Sequence, residues 1–236
     1  RDFDTLHIVA LPHDAPMLRE RLPVTGLQSL RARAEQSPTP QWIFRLEAGR
    51  YRFQKSESRP LPTLQCEHRC TLDNVLSLSN FLFRTPPLMR NEELAQGAHP
   101  ELILFVPEQV VEELVNSTLR ETSPADMGGG PVLLLPIWFG AVNAPQFRVP
   151  SAPRGFMFSL LRVAPLHDVE RQNALTEANI RIYERALKAG AVRYPCDALP
   201  IAAFDEARLA RYAPLRKRLD PNGILIADHT LTYLEE

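Results

Sequence analysis

The sequence predicts an α+β protein in which helices cover an antiparallel sheet. Short apolar segments with the length of β-strands occur among longer segments that have the 3.6-residue period of amphipathic helices. The strands and helices do not alternate in a regular βαβ order, and several strands combine a polar and an apolar face, as is typical of antiparallel sheets. With 236 residues, 44% of them hydrophobic, the chain is long enough to bury a sizeable core.

The amino-terminal part of the chain predicts strands and helices in turn. One apolar run and one segment of alternating apolar and polar residues have the pattern of strands, and two other segments have helical spacing. The predicted strands are residues 6–11 and 41–53, and the predicted helices are residues 15–22 and a segment from residue 71 to the proline pair 86–87. In the second strand Trp42, Phe44 and Leu46 share one face, so Glu47 is expected on the solvent side.

The carboxyl-terminal part predicts four further strands and three helices. The strands are residues 101–106, 132–138, 156–163 and 191–194, and the helices are residues 107–119, 168–189 and 204–219. Pro107 occupies the first helical position, where a proline is tolerated, and Gly190 ends the long helix. The last helix is expected to bury Leu215 and Leu219 and to expose its basic residues to water. The glycines at 128–130 precede a strand and are expected to form a flexible loop.

Charge, apolar run length and cysteine content limit the possible partners. A net charge of −1 provides no field that would attract nucleic acid or an anionic membrane. The longest apolar runs, such as residues 132–139, are less than half a bilayer span, so a soluble protein is expected. Cys66, His68 and Cys70 lack the fourth ligand of a structural zinc site, and a loop is predicted there. Three cysteines leave the cellular compartment open.

Five segments resemble, in the same order, conserved segments of cytokinin dehydrogenases. The clearest is His-Pro-Glu-Leu-Ile-Leu-Phe-Val-Pro, which is similar to the family's His-Pro-Trp-Leu-x-Leu-Phe-Val-Pro. The Asp-Pro-Asn-Gly sequence at residues 220–223 also resembles the end of flavin-linked oxidases of the vanillyl-alcohol-oxidase type. Together the similar segments extend over nearly the whole chain. The five segments are residues 44–51, 80–84, 99–107, 130–136 and 158–164.

The resemblance implies that residues 1–236 form a single substrate-binding domain, ferredoxin-like in fold, of an FAD-linked oxidase. Family members bind FAD mainly through a separate, largely amino-terminal domain, so this chain is expected to be a fragment that binds no flavin and has no activity alone. The expected partners are this FAD domain and a small-molecule substrate. The family reaction is hydride transfer from the carbon next to an amine or alcohol to the flavin, with an acidic residue taking the proton.

The resemblance also indicates candidate substrate-binding residues, some of which depart from the family pattern. Trp138 stands where the family has an asparagine, and Tyr194 and Pro195 resemble its Tyr-Leu-Pro segment. Thr25 and Gly26 correspond to the family's Glu-Gly pair, so the second acidic residue is missing. The usual base belongs to the other domain, which leaves the catalytic residues of this chain unknown. Arg162, at the end of an apolar strand, is expected to reach water or an ion-pair partner.

These departures leave a second interpretation open. A chain that has lost the acidic residue at position 25 and the asparagine at position 138 is also consistent with a non-catalytic binding or interaction module that keeps the fold. The presence of an FAD domain in the same protein would favour the enzyme. An indole at position 138 and a threonine at position 25 would move the substrate preference towards apolar or aromatic compounds.

Overall fold

The computed structural model of the chain describes residues 4–12, 42–49, 77, 79–80, 96–143, 147–194, 214–215, 217–222 and 224. Six strands in these residues form one sheet in the order β2-β1-β4-β5-β3-β6, and every neighbouring pair is antiparallel. The strands are β1 Thr5–Pro12, β2 Trp42–Gly49, β3 Leu102–Pro107, β4 Val132–Ile137, β5 Gly155–Leu160 and β6 Val192–Arg193. The α+β fold with an antiparallel sheet is therefore confirmed.

Two amphipathic helices cover one face of this sheet. Helix α1 spans Val111–Glu121 and helix α2 spans Val169–Lys188. Their apolar stripes pack with alternate residues of the strands, and each large aliphatic side chain that becomes fully buried contributes about 1.5 to 3 kcal/mol. Neither helix, nor any other in the described ranges, is long and apolar enough to cross a membrane. The buried helix residues include Leu114, Val115 and Leu119 of α1 and Ile182 and Ala186 of α2.

The pairing of the strands shows which residues lie on each of the two apolar faces of the sheet. Leu102, Leu104 and Val106 of β3 point to the helix side and are fully buried. The residues between them belong to the opposite face, because successive side chains of a strand alternate. On that face Phe105 and Leu135 both pair with Met157, and Ile103 and Leu133 both pair with Ser159. We call the surface formed by Ile103, Phe105, Leu133, Leu135, Met157 and Ser159 the helix-free face, since neither α1 nor α2 packs on it.

Pro107 ends β3 and does not begin a helix, contrary to the prediction. It pairs with Gly155, and the next backbone N–H, that of Glu108, donates a hydrogen bond to the Arg154 carbonyl oxygen at 3.2 Å. Because these contacts keep the chain extended beside β5, α1 begins only at Val111. A proline is acceptable at the end of a strand when its missing N–H is not required by the ladder.

The three glycines before β4 form a tight turn against the chain that follows β5, not a flexible loop. Gly128 and Gly129 have φ angles of 58° and 88°, in the left-handed region that favours glycine. A Cβ atom at Gly128 would lie 1.9 Å from the Val163 carbonyl oxygen, and one at Gly130 would lie 1.6 Å from that of Leu161. The glycines thus allow two backbone segments to approach closely.

Two burial predictions are wrong. Glu47 is not simply solvated: its carboxylate lies 3.2 Å from the Arg45 guanidinium on the same face of β2, and both side chains are largely buried. Leu215 and Leu219 lie in helical conformation but are exposed, so they do not form the buried stripe expected for the last helix. Several predicted features lie outside the described residues: the helix at residues 15–22, most of the helix that begins at residue 71, most of the helix at 204–219, and Cys66 and Cys70.

Candidate functional site

Two of the four candidate substrate-binding residues can be placed. Trp138 directly follows β4 and is 57% exposed, so its indole forms part of the surface and not of the core. Tyr194 directly follows β6, and its backbone N–H donates a hydrogen bond to the Ile103 carbonyl oxygen at 2.9 Å. Thr25 and Pro195 lie outside the described residues.

Trp138 lines a pocket at one end of the sheet, where β3 and β4 end and β5 begins. The pocket has a volume of about 300 Å³, near the lower limit for small-molecule sites. Pro136, Phe156 and the indole supply apolar walls. Glu108 and Arg154 supply the charged part of the lining and form a 3.1 Å ion pair that is open to solvent. The pocket therefore suits a ligand with one flat apolar group and one polar end.

Tyr194 belongs to a different group of side chains, an aromatic cluster on the helix-free face. The Phe105 ring is buried at its centre, with the rings of Phe139, Phe147 and Tyr194 at centroid distances of 5.7, 5.5 and 5.5 Å. The Phe147 and Tyr194 rings are 6.0 Å apart. The steep angles between these rings, 57° to 89°, are favourable for aromatic pairs. The cluster fixes the Tyr194 ring at the edge of the sheet.

The structure does not bring Trp138 and Tyr194 into one pocket. The pocket wall Phe156 packs against the helix-side core, whereas Tyr194 packs against Phe105 on the helix-free face. The two residues are connected indirectly, because Phe139 follows Trp138 in the chain and contacts Phe105. Trp138 and Tyr194 therefore belong to two separate groups of side chains, which are neighbours on the sheet.

Nothing in the sequence pattern marks Phe105, Phe139 and Phe147 as members of a site. Phe105 lies in a strand that is apolar on both faces, so the pattern gives no sign of which residues face away from the helices. Phe139 and Phe147 lie in the irregular connection between β4 and β5, where periodicity is absent. The only available signal was the accumulation of aromatic residues around Trp138.

One polar group interrupts the helix-free face. Ser159 is 1% exposed, and its hydroxyl oxygen has no hydrogen-bond partner among the described contacts. By register it lies between Ile103 and Leu133, both half-buried. The remainder of this face consists of aliphatic, aromatic and thioether side chains, of which Phe105 is buried and the other four are half-buried.

The glycine turn at residues 128–130 does not fit the phosphate groups of a dinucleotide such as FAD. Phosphate sites present backbone N–H groups at a helix amino terminus. The turn at residues 128–130 instead leads into β4, and carbonyl oxygens of Leu161 and Val163 lie where phosphate oxygens would have to bind.

The main charged cluster lies on the helix side, away from the aromatic cluster. Asp126 accepts hydrogen bonds from the Ser123 backbone N–H and hydroxyl, both at 2.8 Å, and from Arg171 at 2.9 Å. Contrary to the prediction, Arg162 is 2% exposed, and the hydrogen bond described for its guanidinium goes to the Leu175 backbone carbonyl at 3.4 Å. Burial lowers the pKa of Arg162 to about 10, although the charge of Asp126 opposes this.

Comparison with known proteins gives one informative similarity. No family model matches the chain. Over 140 residues the chain is 26% identical to a protein of Rhodococcoides fascians named "Uncharacterized oxidoreductase ORF5 in fasciation locus". The match covers 57% of this chain but only 31% of that protein, so the chain corresponds to about a third of its relative's length. Part of the chain is thus similar to part of a protein that is named as an oxidoreductase.

Proposed function

We propose that this chain is the substrate-binding part of an FAD-dependent oxidoreductase that oxidises an amine or an alcohol, similar to cytokinin dehydrogenases. The observation that carries the proposal is the position of the segments that resemble this family. Four of the five contain residues of β2, β3, β4 and β5, four strands of one sheet. The similarity to the Rhodococcoides fascians protein supports the oxidoreductase role.

In this proposal the helix-free face is the wall against which the reacting groups lie. An FAD bound by the partner domain would supply hydride acceptance from the carbon next to the substrate nitrogen or oxygen. The apolar side chains of Leu135 and Met157 would exclude water from the reacting carbon, which would strengthen the electrostatic interactions there. Tyr194, held by its aromatic neighbours, limits the positions that the substrate can take.

The Trp138 pocket would hold a part of the substrate remote from the reacting carbon. An exposed indole beside Pro136 and Phe156 provides a broad apolar surface for a flat group. The partner of this chain would be an FAD-binding domain of the same protein, because the glycine turn at residues 128–130 does not cradle a phosphate. The acidic residue that takes the proton would also belong to that domain.

The absorption spectrum of the full-length protein tests this proposal. We expect flavin absorbance in the purified protein, and loss of that absorbance when amines or alcohols with a flat apolar group are added without oxygen. The 236-residue chain alone should remain colourless. A full-length protein without flavin that still binds such compounds would instead indicate the non-catalytic binding module. A flavin that no amine or alcohol reduces would refute the proposed substrate class.

A further inference from the structure

Strand β2 forms one end of the sheet and has an unusual apolar surface. Its described strand neighbour is β1, with which all eight residues pair. Phe44 and Leu46 are 55% and 42% exposed, and Ala48 continues the same exposed row. Edge strands of monomeric proteins are normally protected by charged residues or prolines on such a row, because an open apolar edge pairs readily with another strand.

The sequence of β2 is complementary to itself when a second copy runs antiparallel. A two-fold axis through Leu46 places that residue opposite its own copy and Phe44 opposite Ala48 of the partner subunit. The same register places Arg45 opposite Glu47 of the partner subunit. Antiparallel partners share a face of the sheet, so apolar residues meet apolar ones and opposite charges meet.

Neighbouring two-fold registers lack this complementarity. An axis through Arg45 would place two guanidinium groups opposite each other, and an axis through Glu47 would do the same with two carboxylates. Like charges directly opposite each other destabilise a sheet. A shift by a single residue would instead put charged side chains against apolar ones, because it moves each side chain to the other face. The charge pattern therefore selects the axis through Leu46.

We propose that β2 is a homodimer interface in which two copies of the chain join their sheets edge to edge, antiparallel, about a two-fold axis at Leu46. Such an isologous contact closes on itself and gives a dimer, not a fibre. It brings the exposed apolar row of each copy into cross-strand contact with that of the other. Arg45 and Glu47 keep their contact within the strand and add one across the interface. This inference does not depend on the proposed function.

Cysteine cross-linking of the full chain tests the position of the axis. In a background with Cys66, Cys70 and Cys196 replaced by serine, Leu46→Cys places two thiols opposite each other. Cα atoms of opposite antiparallel residues are about 4.5 to 5.5 Å apart, within the range for a disulfide. We expect mild oxidation to convert most of this variant to a covalent dimer. Leu187→Cys, at a residue on α2 that is similarly exposed, should stay monomeric on the denaturing gel.

Two further measurements make the test independent of any single variant. A mixture of Phe44→Cys and Ala48→Cys chains should cross-link, whereas neither chain should cross-link alone. Leu46→Lys should weaken the dimer at least about tenfold in sedimentation, since two ammonium groups would face each other on the axis. Sedimentation at the mass of one copy at all concentrations, or equal cross-linking of Leu46→Cys and Leu187→Cys, would overturn the proposal.

Discussion

The indole Nε1 of Trp42 donates a hydrogen bond to the backbone carbonyl oxygen of Leu119, 3.2 Å away, and so connects strand β2 to the last turn of helix α1. Carbonyl groups at the end of a helix have no partner within the helix. The hydrogen bond satisfies one of these carbonyl groups and anchors the start of β2 to the helix. Phe44 and Leu46, further along the same strand, are exposed.

Replacing Trp42 by phenylalanine should lower the free energy of unfolding by about 0.5 to 1.5 kcal/mol beyond the loss of contact area, because the Leu119 carbonyl oxygen loses its partner. Denaturant unfolding followed by circular dichroism measures this. The control is Leu166→Ala, which removes a side chain that is 65% exposed and should change stability by less than about 0.5 kcal/mol. Equal effects of the two replacements would show that the hydrogen bond does not stabilise the fold.

The glycine turn before β4 gives a second prediction about stability. Gly130→Ala should cost about 3 kcal/mol or more, because the new Cβ would collide with the Leu161 carbonyl oxygen and the backbone cannot yield cheaply. Gly190→Ala is the control. Gly190 has a φ of 83°, but a Cβ there would meet only Pro107 Cγ at an ordinary contact distance of 3.9 Å, so alanine should cost only about 1 to 2 kcal/mol of backbone strain. A smaller loss at Gly130 than at Gly190 would contradict this explanation.

Asp126 should make stability depend on pH. Burial raises the pKa of its carboxyl group, but the hydrogen bonds from Ser123 and the charge of Arg171 outweigh burial, so the pKa is lowered on folding. A lowered pKa means that the stabilisation is complete above the unfolded value, about 3.9 for aspartate, and disappears as pH falls through the folded value.

Asp126→Asn should therefore be less stable than the wild type at neutral pH, and the difference should shrink as the pH is lowered below about 4. Chemical unfolding of both proteins across this range measures it. A difference in stability that stays constant down to the lowest pH would show that the charge of Asp126 is not responsible.

How much the sequence predicts depends on the kind of residue. Periodicity was sufficient for α2, since Asp168 caps it and Gly190 follows its end, both recognisable signals. Periodicity predicted a helix from Pro107, where the chain is extended, because the pairing with Gly155 that keeps it extended is a tertiary contact. In the site, Trp138 was found through the family resemblance. Phe105 was missed because a strand that is apolar on both faces does not show which face is free.

Trp138→Ala in the full-length protein should raise KM for a substrate with a flat apolar group by about 5- to 150-fold, the equivalent of about 1 to 3 kcal/mol of lost contact. Flavin content and kcat should change little, because the pocket lies away from the reacting carbon. Steady-state kinetics with matched flavin content measures this. Substrate affinity equal to that of the wild type would mean that the pocket beside Pro136 and Phe156 does not hold the substrate.

The rate of flavin reduction in a single turnover tests the central claim most directly, because it reports on the helix-free face without the later steps. It should be measured without oxygen in the full-length protein for the wild type, Tyr194→Ala and Leu187→Ala, each with confirmed folding and flavin content. We expect an amine or alcohol to reduce the wild-type flavin, Tyr194→Ala to be at least about tenfold slower through loss of substrate positioning, and Leu187→Ala to match the wild type. Flavin that no such substrate reduces, or equal rates in all three proteins, would contradict the account.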